Sequence, residues 1–222
     1  MIRLEVLPDP EAAAARAAAL LLEAVEHAVS AGDRFTWATS GGEGPDPMFR
    51  RLGALELPWS VIDTWQVDER IAPPGDPDRN RTRQERAFPP PTLDGVRWMP
   101  VEDEDPEAAA ARYAATLPDR FDLVHLGLGP DGHTASLVPG DPVLDVVDRD
   151  VATTGPYEGR RRMTLTYPGL TRARRVVWLV TGAEKRDAVG SLIAGDRSIP
   201  AARVPVADQL LIVDGAAAPA AG

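Results

Sequence analysis

The stretch from Phe121 to Gly140, FDLVHLGLGPDGHTASLVPG, decides the fold class of this chain. Its first six residues are largely apolar, which is typical of a parallel strand that is buried on both faces. A glycine-rich turn follows directly, from Gly127 to Gly132, and it ends at His133. Parallel sheets bind ligands at the carboxyl ends of their strands, so this stretch predicts a strand that carries a functional turn. We expect a helix to begin immediately after His133.

The rest of the chain repeats this alternation. Four other segments have the composition of buried strands, namely residues 35–39, 61–67, 175–180 and 209–213. Helix candidates separate them, namely residues 11–30, 46–52, 105–117 and 183–193. The Pro-rich residues 73–95 are expected to be mostly irregular, with a turn or two of helix at 82–87.

Strands that alternate with helices predict an α/β fold. We expect a three-layer, Rossmann-like domain with a mainly parallel sheet that is covered by helices on both faces. The domain is expected to span residues 1–214. The small residues 215–222 are expected to form a disordered tail.

Composition restricts the classes of function. The chain has 222 residues, 44% hydrophobic and 26% charged, which suffices for one substantial core. Its net charge of −10 argues against nucleic acid or an anionic membrane as a partner, because both attract basic proteins. The absence of cysteine excludes disulfides, thiolate metal sites and a cysteine nucleophile. No apolar run is long enough to cross a bilayer and no secretory signal is recognisable, so we expect a cytoplasmic protein.

Two segments place polar groups after predicted strands. In Ser40-Gly41-Gly42 the small residues allow backbone N–H groups to approach a phosphate, and the next helix adds the positive end of its dipole. A plain tight turn is the alternative. Asp68-Glu69-Arg70 is either an ion-pair cluster at the sheet edge or a guanidinium held in the crevice by a carboxylate.

The three histidines differ in their surroundings. His27 lies in the first helix and is expected at the surface, whereas His125 lies within a strand and is expected to pack in the core. His133 ends the glycine turn, where an imidazole can remove a proton from water near neutral pH. Asp131, two residues earlier, is placed to orient it. Lys185 is the single lysine among 24 Lys and Arg residues, so it is either a site residue or a chance surface residue.

Taken together and in order, these segments resemble the successive motifs of the 6-phosphogluconolactonases. The resemblance spans roughly residues 10–214. The segments that carry it are WATSGG (37–42), WQVDER (65–70), LGLGPDGHTASL (126–137), RMTLT (162–166), LVTGAEK (179–185), IPAARV (199–204) and LIVD (211–214).

The resemblance implies hydrolysis of 6-phospho-D-glucono-1,5-lactone to 6-phospho-D-gluconate, a step of the pentose phosphate pathway. It implies that His133 is the general base, that Arg70 stabilises the oxyanion, and that Asp68 orients this arginine or the substrate hydroxyls. Neither a metal nor a cofactor is needed. We expect a phosphorylated sugar lactone as the small-molecule partner, with no nucleic acid and no membrane, and a monomer, with a weak dimer as the alternative.

The phosphate of the substrate would lie away from the scissile bond. The resemblance assigns it to the glycine loop together with two cations. The implied phosphate-binding residues are Ser40, Gly41, Gly42, Arg162 and Lys185.

Two other functions are open. Glucosamine-6-phosphate deaminases and sugar-phosphate isomerases are similar in the glycine loop and in the Gly-Pro-Asp-Gly-His element. Their pattern has an aromatic residue in place of Arg70 and continues differently after the histidine, where this chain has Thr134 to Leu137. The second alternative is a non-catalytic sensor of phosphorylated sugars.

The chain departs from the family pattern at two places. Glu43-Gly44 replaces the usual Ser-Thr before Pro45, which removes two hydroxyl donors and adds a carboxylate near the phosphate. Glu43 is expected to face solvent or to pair with an arginine. Arg79-Asn80 stands where the family has Ser-Asn, and Arg79 is the candidate for restoring positive charge.

Overall fold

The computed structural model describes residues 2–88, 93 and 95–219. Within them the strands are β1 (Arg3–Leu7), β2 (Phe35–Thr39), β3 (Ile62–Gln66), β4 (Asp68–Arg70), β5 (Val96–Arg97), β6 (Leu123–Leu126), β7 (Val151–Thr153), β8 (Arg162–Leu165), β9 (Arg175–Val180) and β10 (Asp208–Asp214). Seven of them form the main sheet, in the order β1-β10-β9-β6-β2-β3-β5. Every neighbouring pair in this sheet is parallel, as predicted.

Helices cover both faces of the main sheet. Their bounds are α1 (Pro10–Ser30), α2 (Asp46–Gly53), α3 (Asn80–Ala87), α4 (Pro106–Ala114), α5 (Tyr167–Leu170) and α6 (Arg186–Ala194). The two Ala-rich helices begin at aspartate caps followed by proline, because Asp9 accepts from the N–H of Ala12 and Asp105 from that of Ala108. No helix in the described part of the chain is long and apolar enough to cross a membrane.

Alternate residues of the central strands feed two separate cores. Val177 of β9 and Leu123 of β6 pack with α1 and α2 on one face, whereas Val176 and Val124 pack with α4 and α6 on the other. Each fully buried aliphatic side chain of this kind contributes about 1.5–3 kcal/mol to folding. The two cores and the sheet between them are the three layers that the apolar strand pattern predicts.

A second, three-stranded antiparallel sheet was not apparent in the sequence. It has the order β4-β8-β7, and its register pairs Arg70 with Arg162 and Asp68 with Thr164. Strands of three or four residues with several polar side chains have no readable periodicity, so local pattern could not reveal them. The edge strand β1 was missed for a similar reason, since its side chains are half exposed.

The predicted helix after His133 is wrong. The chain forms a compact turn instead, in which the Thr134 hydroxyl donates to the Gly127 carbonyl at 2.9 Å. The backbone N–H of Ser136 donates to the hydroxyl of Thr164 in the second sheet, at 3.1 Å. Ala135 has a φ of 50°, which a right-handed helix does not allow. These side-chain and inter-sheet bonds take the place of helical ones.

The first five residues of the expected tail belong to the described part of the chain. Residues 215–219 form a turn in which the N–H of Ala217 donates to the Asp214 carboxylate at 2.9 Å, and Ala217 is fully buried. The remaining residues, 220–222, lie outside the described residues. The interpretation of the other two histidines is confirmed: His27 is exposed, and His125 is buried with Nδ1 2.9 Å from the Thr39 hydroxyl.

Candidate active site

The eight residues that the sequence analysis assigns to catalysis or to phosphate binding all line one cleft. It has a volume of about 230 Å³ and lies at the carboxyl ends of the parallel strands. The predicted residues on its walls are Ser40, Gly41, Gly42, Asp68, Arg70, His133, Arg162 and Lys185.

Each of these residues is delivered by a strand end. The glycine loop follows β2, the turn that ends at His133 follows β6, and Lys185 follows β9. Arg70 and Arg162 come from the small sheet, where they are directly paired across β4 and β8. The main sheet and the small sheet together therefore bring chain segments more than a hundred positions apart to one cleft.

His133 and Asp131 form a hydrogen-bonded pair. Nδ1 of His133 lies 2.6 Å from Oδ1 of Asp131. Burial opposes ionisation of Asp131, but the backbone N–H and the ring of His133 outweigh it and lower the pKa of this carboxyl. An ionised carboxylate only accepts hydrogen bonds, so Nδ1 carries the proton and Nε2 is left as the basic nitrogen.

Gly129 makes this pair possible. A Cβ atom at that position would fall on the imidazole of His133 and lie 2.7 Å from Oδ1 of Asp131. The turn closes through a hydrogen bond from the N–H of Gly129 to the carbonyl of His133, at 2.8 Å. Because Gly129 has no side chain, the imidazole of His133 can lie against the backbone of its own turn.

Asp68 and Arg70 are held by Asn80 and do not pair with each other. The Asn80 amide nitrogen donates to Oδ1 of Asp68 at 3.1 Å, and its oxygen accepts from Nη1 of Arg70 at 2.5 Å. Nη1 of Arg70 also donates to the Asp78 carbonyl at 2.9 Å. The expectation that a carboxylate holds the guanidinium is therefore wrong, because an amide and a carbonyl hold it. Oδ2 of Asp68 accepts from the Ser136 hydroxyl at 2.6 Å.

Glu69 fixes the position of Asn80 through hydrogen bonds to the backbone. It is fully buried and accepts from the backbone N–H groups of Arg70, Asn80 and Arg81, at 2.7, 2.8 and 2.8 Å. Burial raises the pKa of this carboxyl, and its N–H donors oppose that effect. Since α3 has no side-chain cap of its own, Glu69 takes that role.

Arg79 does not restore charge at the phosphate end. Its side chain is 1% exposed and lies between Glu69 and Glu102, and none of these three residues lines the cleft. A buried guanidinium requires carboxylate partners, which here are the buried Glu69 and the exposed Glu102. Glu43 behaves as expected, since it is exposed and pairs with Arg83 at 3.3 Å.

Another part of the cleft suits an anion. The N–H groups of Gly41 and Gly42 donate to no acceptor among the described residues, and α2 begins a few residues later. The Ser40 hydroxyl and Nε of Arg162 are buried there and likewise have no hydrogen-bond partner within the described part of the chain. Lys185 forms no ion pair with any carboxylate that the structure describes.

Arg162 itself is almost fully buried. Its side chain is 4% exposed, and Nη2 lies 3.0 Å from the exposed carboxylate of Glu158. The guanidinium carbon lies 4.8 Å from the centre of the Tyr157 ring. One carboxylate and one aromatic face thus hold a cation whose remaining N–H groups reach the cleft.

Four residues of this network escaped sequence reasoning as site residues. Asn80 was noted only as part of a motif, and Ser136 only as part of the segment after His133. Glu69 was noted only as part of Asp68-Glu69-Arg70, and Tyr157 gave no signal, since a tyrosine in a hairpin has no local signature. Within the described residues, no group of three or more His, Asp or Glu side chains is arranged to hold a metal ion.

Comparison with known proteins agrees with this geometry. The model of the family described as glucosamine-6-phosphate isomerases/6-phosphogluconolactonase matches residues 8–212. A 6-phosphogluconolactonase from Nostoc sp. is 36% identical over 230 residues, covering 96% of this chain and 95% of that protein. One from Streptomyces coelicolor is 34% identical over 234 residues, covering 94% of this chain and 88% of that protein.

Solved structures show the same fold. The 6-phosphogluconolactonase of Thermotoga maritima superposes with a TM-score of 0.85 at 24% identity, covering 96% of this chain and 99% of that one. A monomeric glucosamine-6-phosphate deaminase reaches 0.84 at 19% identity, covering 97% of this chain and 98% of that one. The fold is thus shared by both activities. From the family match and the sequence relatives, the chain belongs to the glucosamine-6-phosphate isomerase/6-phosphogluconolactonase family.

Proposed function

We propose that this protein hydrolyses 6-phospho-D-glucono-1,5-lactone to 6-phospho-D-gluconate, the lactonase step of the pentose phosphate pathway. The observation that carries the proposal is the convergence, in one cleft, of a base paired with a carboxylate and a set of cations at two places. The sequence relatives named as 6-phosphogluconolactonases support the same reaction. The chain also retains Arg70, where the deaminase pattern has an aromatic residue.

In this mechanism His133 is the general base. Nε2 takes a proton from a water molecule as the water oxygen attacks the carbonyl carbon of the lactone. A tetrahedral oxyanion forms and is stabilised by Arg70, whose Nε and Nη2 have no acceptor among the described residues. The ring C–O bond then breaks, and the imidazolium returns the proton to the departing ring oxygen. The product is an open-chain acid, which ionises.

The remaining cleft residues position the substrate. Asp68, held by Asn80 and Ser136, presents a fixed acceptor for sugar hydroxyls. Arg162, Lys185 and the N–H groups of the glycine loop bind the phosphate, far enough from the carbonyl that binding energy at this end orients the ring. The exposed Glu43 side chain pairs with Arg83, which offsets its charge beside that site.

The first test is the rate of hydrolysis of freshly generated 6-phosphogluconolactone, corrected for spontaneous ring opening. We expect the wild-type protein to be fast and His133→Ala to lose about 10²- to 10⁴-fold in kcat, the usual contribution of a positioned base. His27→Ala, which removes an exposed histidine, is the matched control and keeps full activity.

A wild-type protein that adds nothing to the spontaneous rate would contradict the proposal. Glucosamine 6-phosphate and phosphorylated aldoses, offered to the same preparation, then separate the two alternatives. Release of ammonia or isomerisation identifies a deaminase or isomerase, and binding without turnover identifies a sensor.

A further inference from the structure

A short hairpin brings an aromatic side chain to the cleft. Strands β7 and β8 are joined through a turn in which Tyr157 and Arg160 exchange backbone hydrogen bonds of 2.9 and 3.2 Å. Glu158 and Gly159, the two residues between them, have φ values of 50° and 78°. A two-residue turn with positive φ values matches the twist of the antiparallel segments that it joins, so this turn holds Tyr157 just beyond the ends of β7 and β8.

Tyr157 contacts the His133–Asp131 pair and also Arg162. Its hydroxyl donates to Oδ2 of Asp131 at 3.2 Å, while Oδ1 of the same carboxylate binds His133. Its ring meets the imidazole of His133 edge to face, with centroids 5.4 Å apart. The guanidinium of Arg162 lies over the same ring, at 4.8 Å. One side chain therefore touches the pair that forms the base and the cation assigned to the phosphate.

We propose that Tyr157 is a positioning residue that ties His133 and Arg162 together, and that it thereby sets the separation between the base and the phosphate of the substrate. The inference rests on the proposed function. It makes Tyr157 a determinant of which phosphorylated lactones react, because the carbonyl and the phosphate must reach two groups held at a fixed spacing.

The two parts of the side chain act differently. The hydroxyl restrains Asp131 at its second oxygen, so that the carboxylate cannot swing and the imidazole keeps its orientation. Burial raises the pKa of Tyr157, and the neighbouring Asp131 adds to this effect, so the hydroxyl stays protonated and donates. The ring provides a π face for Arg162, whose other restraint is the exposed Glu158.

Other charges also face His133 and enter any pH dependence. Those that line the inner cleft are Asp68, Arg70, Arg162 and Lys185. Those around the outer part are Glu43, Asp78, Arg83, Glu158, Arg160 and Glu184. Replacing the tyrosine hydroxyl changes none of them, so a shift in the His133 titration reports on the contact with Asp131.

Tyr157→Phe tests the hydroxyl. It keeps both ring contacts, so we expect KM for 6-phosphogluconolactone to be unchanged and kcat to fall by about 10-fold, the effect of one hydrogen bond to a charged group. Without the tyrosine donor, the charge of Asp131 acts more strongly on the imidazole. The acidic limb of the kcat/KM profile therefore moves to higher pH.

Tyr167→Phe is the matched control. The Tyr167 hydroxyl donates to the carbonyl of Pro200 at 2.9 Å, and this residue does not line the cleft. It loses one hydrogen bond in the same way, so we expect kcat, KM and the pH profile to stay as in the wild type. Equal effects of the two variants, or a Tyr157→Phe profile that coincides with that of the wild type, overturn the proposal.

Tyr157→Leu tests the ring. It removes the surface beneath Arg162, so we expect KM to rise by about 5-fold in addition to the loss in kcat. An unchanged KM contradicts the proposal that Tyr157 ties His133 and Arg162 together.

NMR titration of the His133 ring gives a readout that does not need turnover. The midpoint is expected to be higher in Tyr157→Phe than in the wild type and in Tyr167→Phe. If the wild type lacks lactonase activity but this shift is present, the proposed function fails while the contact between Tyr157 and Asp131 stands. If activity is present without the shift, the inference fails alone.

Discussion

At the scale of single residues, Asn80 holds both Asp68 and Arg70 in the cleft. It is 2% exposed, and its amide group donates to Asp68 and accepts from Arg70. The side-chain amide carries a donor and an acceptor on the same carbon, whereas an ionised carboxylate only accepts and an ammonium only donates, so neither of these could bridge Asp68 and Arg70 in this way. Gly41 belongs to the same arrangement, because a Cβ there would overlap the Asn80 side chain.

Asn80→Ala is expected to lower kcat/KM by about 10- to 100-fold, since Arg70 loses its fixed direction toward the oxyanion. It should also lower the free energy of unfolding by about 1–3 kcal/mol, because Asp68 loses a buried donor. Steady-state kinetics and urea denaturation measure the two effects. Gln209→Ala removes an amide bonded to Trp178 and Val206 outside the cleft, and serves as control. A loss of activity no larger than that of Gln209→Ala would contradict the positioning role.

At the scale of secondary-structure elements, the start of α3 depends on a strand. The helix has no cap in its own sequence, and its first two N–H groups are satisfied by Glu69 of β4. Helix and strand are thus joined by one buried carboxylate, which holds Asn80 against the cleft. This explains why a polar, Arg-rich segment with little apolar surface forms a stable helix at that place.

Glu69→Gln is expected to reduce the free energy of unfolding by about 1–3 kcal/mol, because an amide nitrogen then faces N–H donors where an oxygen accepted them. Activity should fall as well, since α3 carries Asn80. Glu85→Gln is the control in the same helix, where an exposed carboxylate pairs with Arg81. Surface pairs of this kind contribute little, so its stability should match that of the wild type. Equal stability of the two variants would rule out the capping role.

At the scale of the whole molecule, charged side chains are paired differently at the amino ends and at the carboxyl ends of the strands. At the amino ends of the strands they are paired across neighbours: Asp63 binds Arg34 at 2.6 Å and Arg97 at 2.9 Å, and Asp208 binds Arg175 at 2.7 Å. At the carboxyl ends, Arg70 and Lys185 have no carboxylate partner among the described residues. A chain with a net charge of −10 therefore still offers a cationic cleft to an anionic substrate.

The ion pairs at the amino ends of the strands predict that the stability of the fold depends on pH. The hydrogen bond from Arg34 lowers the pKa of Asp63, so the folded state binds this proton less readily than the unfolded state does. The stabilisation is present above the ordinary value of 3.8 and is lost as pH falls through the lower folded value. Asp63→Asn should reduce the free energy of unfolding by about 1 kcal/mol at neutral pH, and by much less once the pH has fallen below the lowered folded pKa of Asp63.

Urea denaturation over this pH range measures the difference, and activity at neutral pH should be unaffected because Asp63 lies at the far edge of the sheet. Asp119→Asn, which removes an exposed carboxylate that forms no ion pair with any described residue, is the control and should show no pH-dependent difference. A difference between Asp63→Asn and wild type that persists unchanged at low pH would contradict the ion-pair explanation.

Local pattern accounts for five of the seven strands of the main sheet and for the position of some of the predicted site residues. Buried parallel strands are continuous apolar runs, and a polar or glycine residue directly after such a run must lie at the carboxyl edge. His133, the glycine loop and Asp68-Glu69-Arg70 could be placed on that basis. Lys185 was noted as the single lysine, and the motif resemblance added its phosphate-binding role and Arg162, although the small sheet that holds Arg162 has no periodicity to read.

Tertiary structure decided how these side chains are oriented. Asn80 between Asp68 and Arg70, Tyr157 on Asp131, and the inward direction of Arg79 all depend on hydrogen-bond partners that lie far away in the chain. The same holds for the turn after His133, where the hydroxyl of Thr164 replaces helical bonding. The direction of a polar side chain follows from which distant donors and acceptors are buried beside it, and sequence spacing carries no record of them.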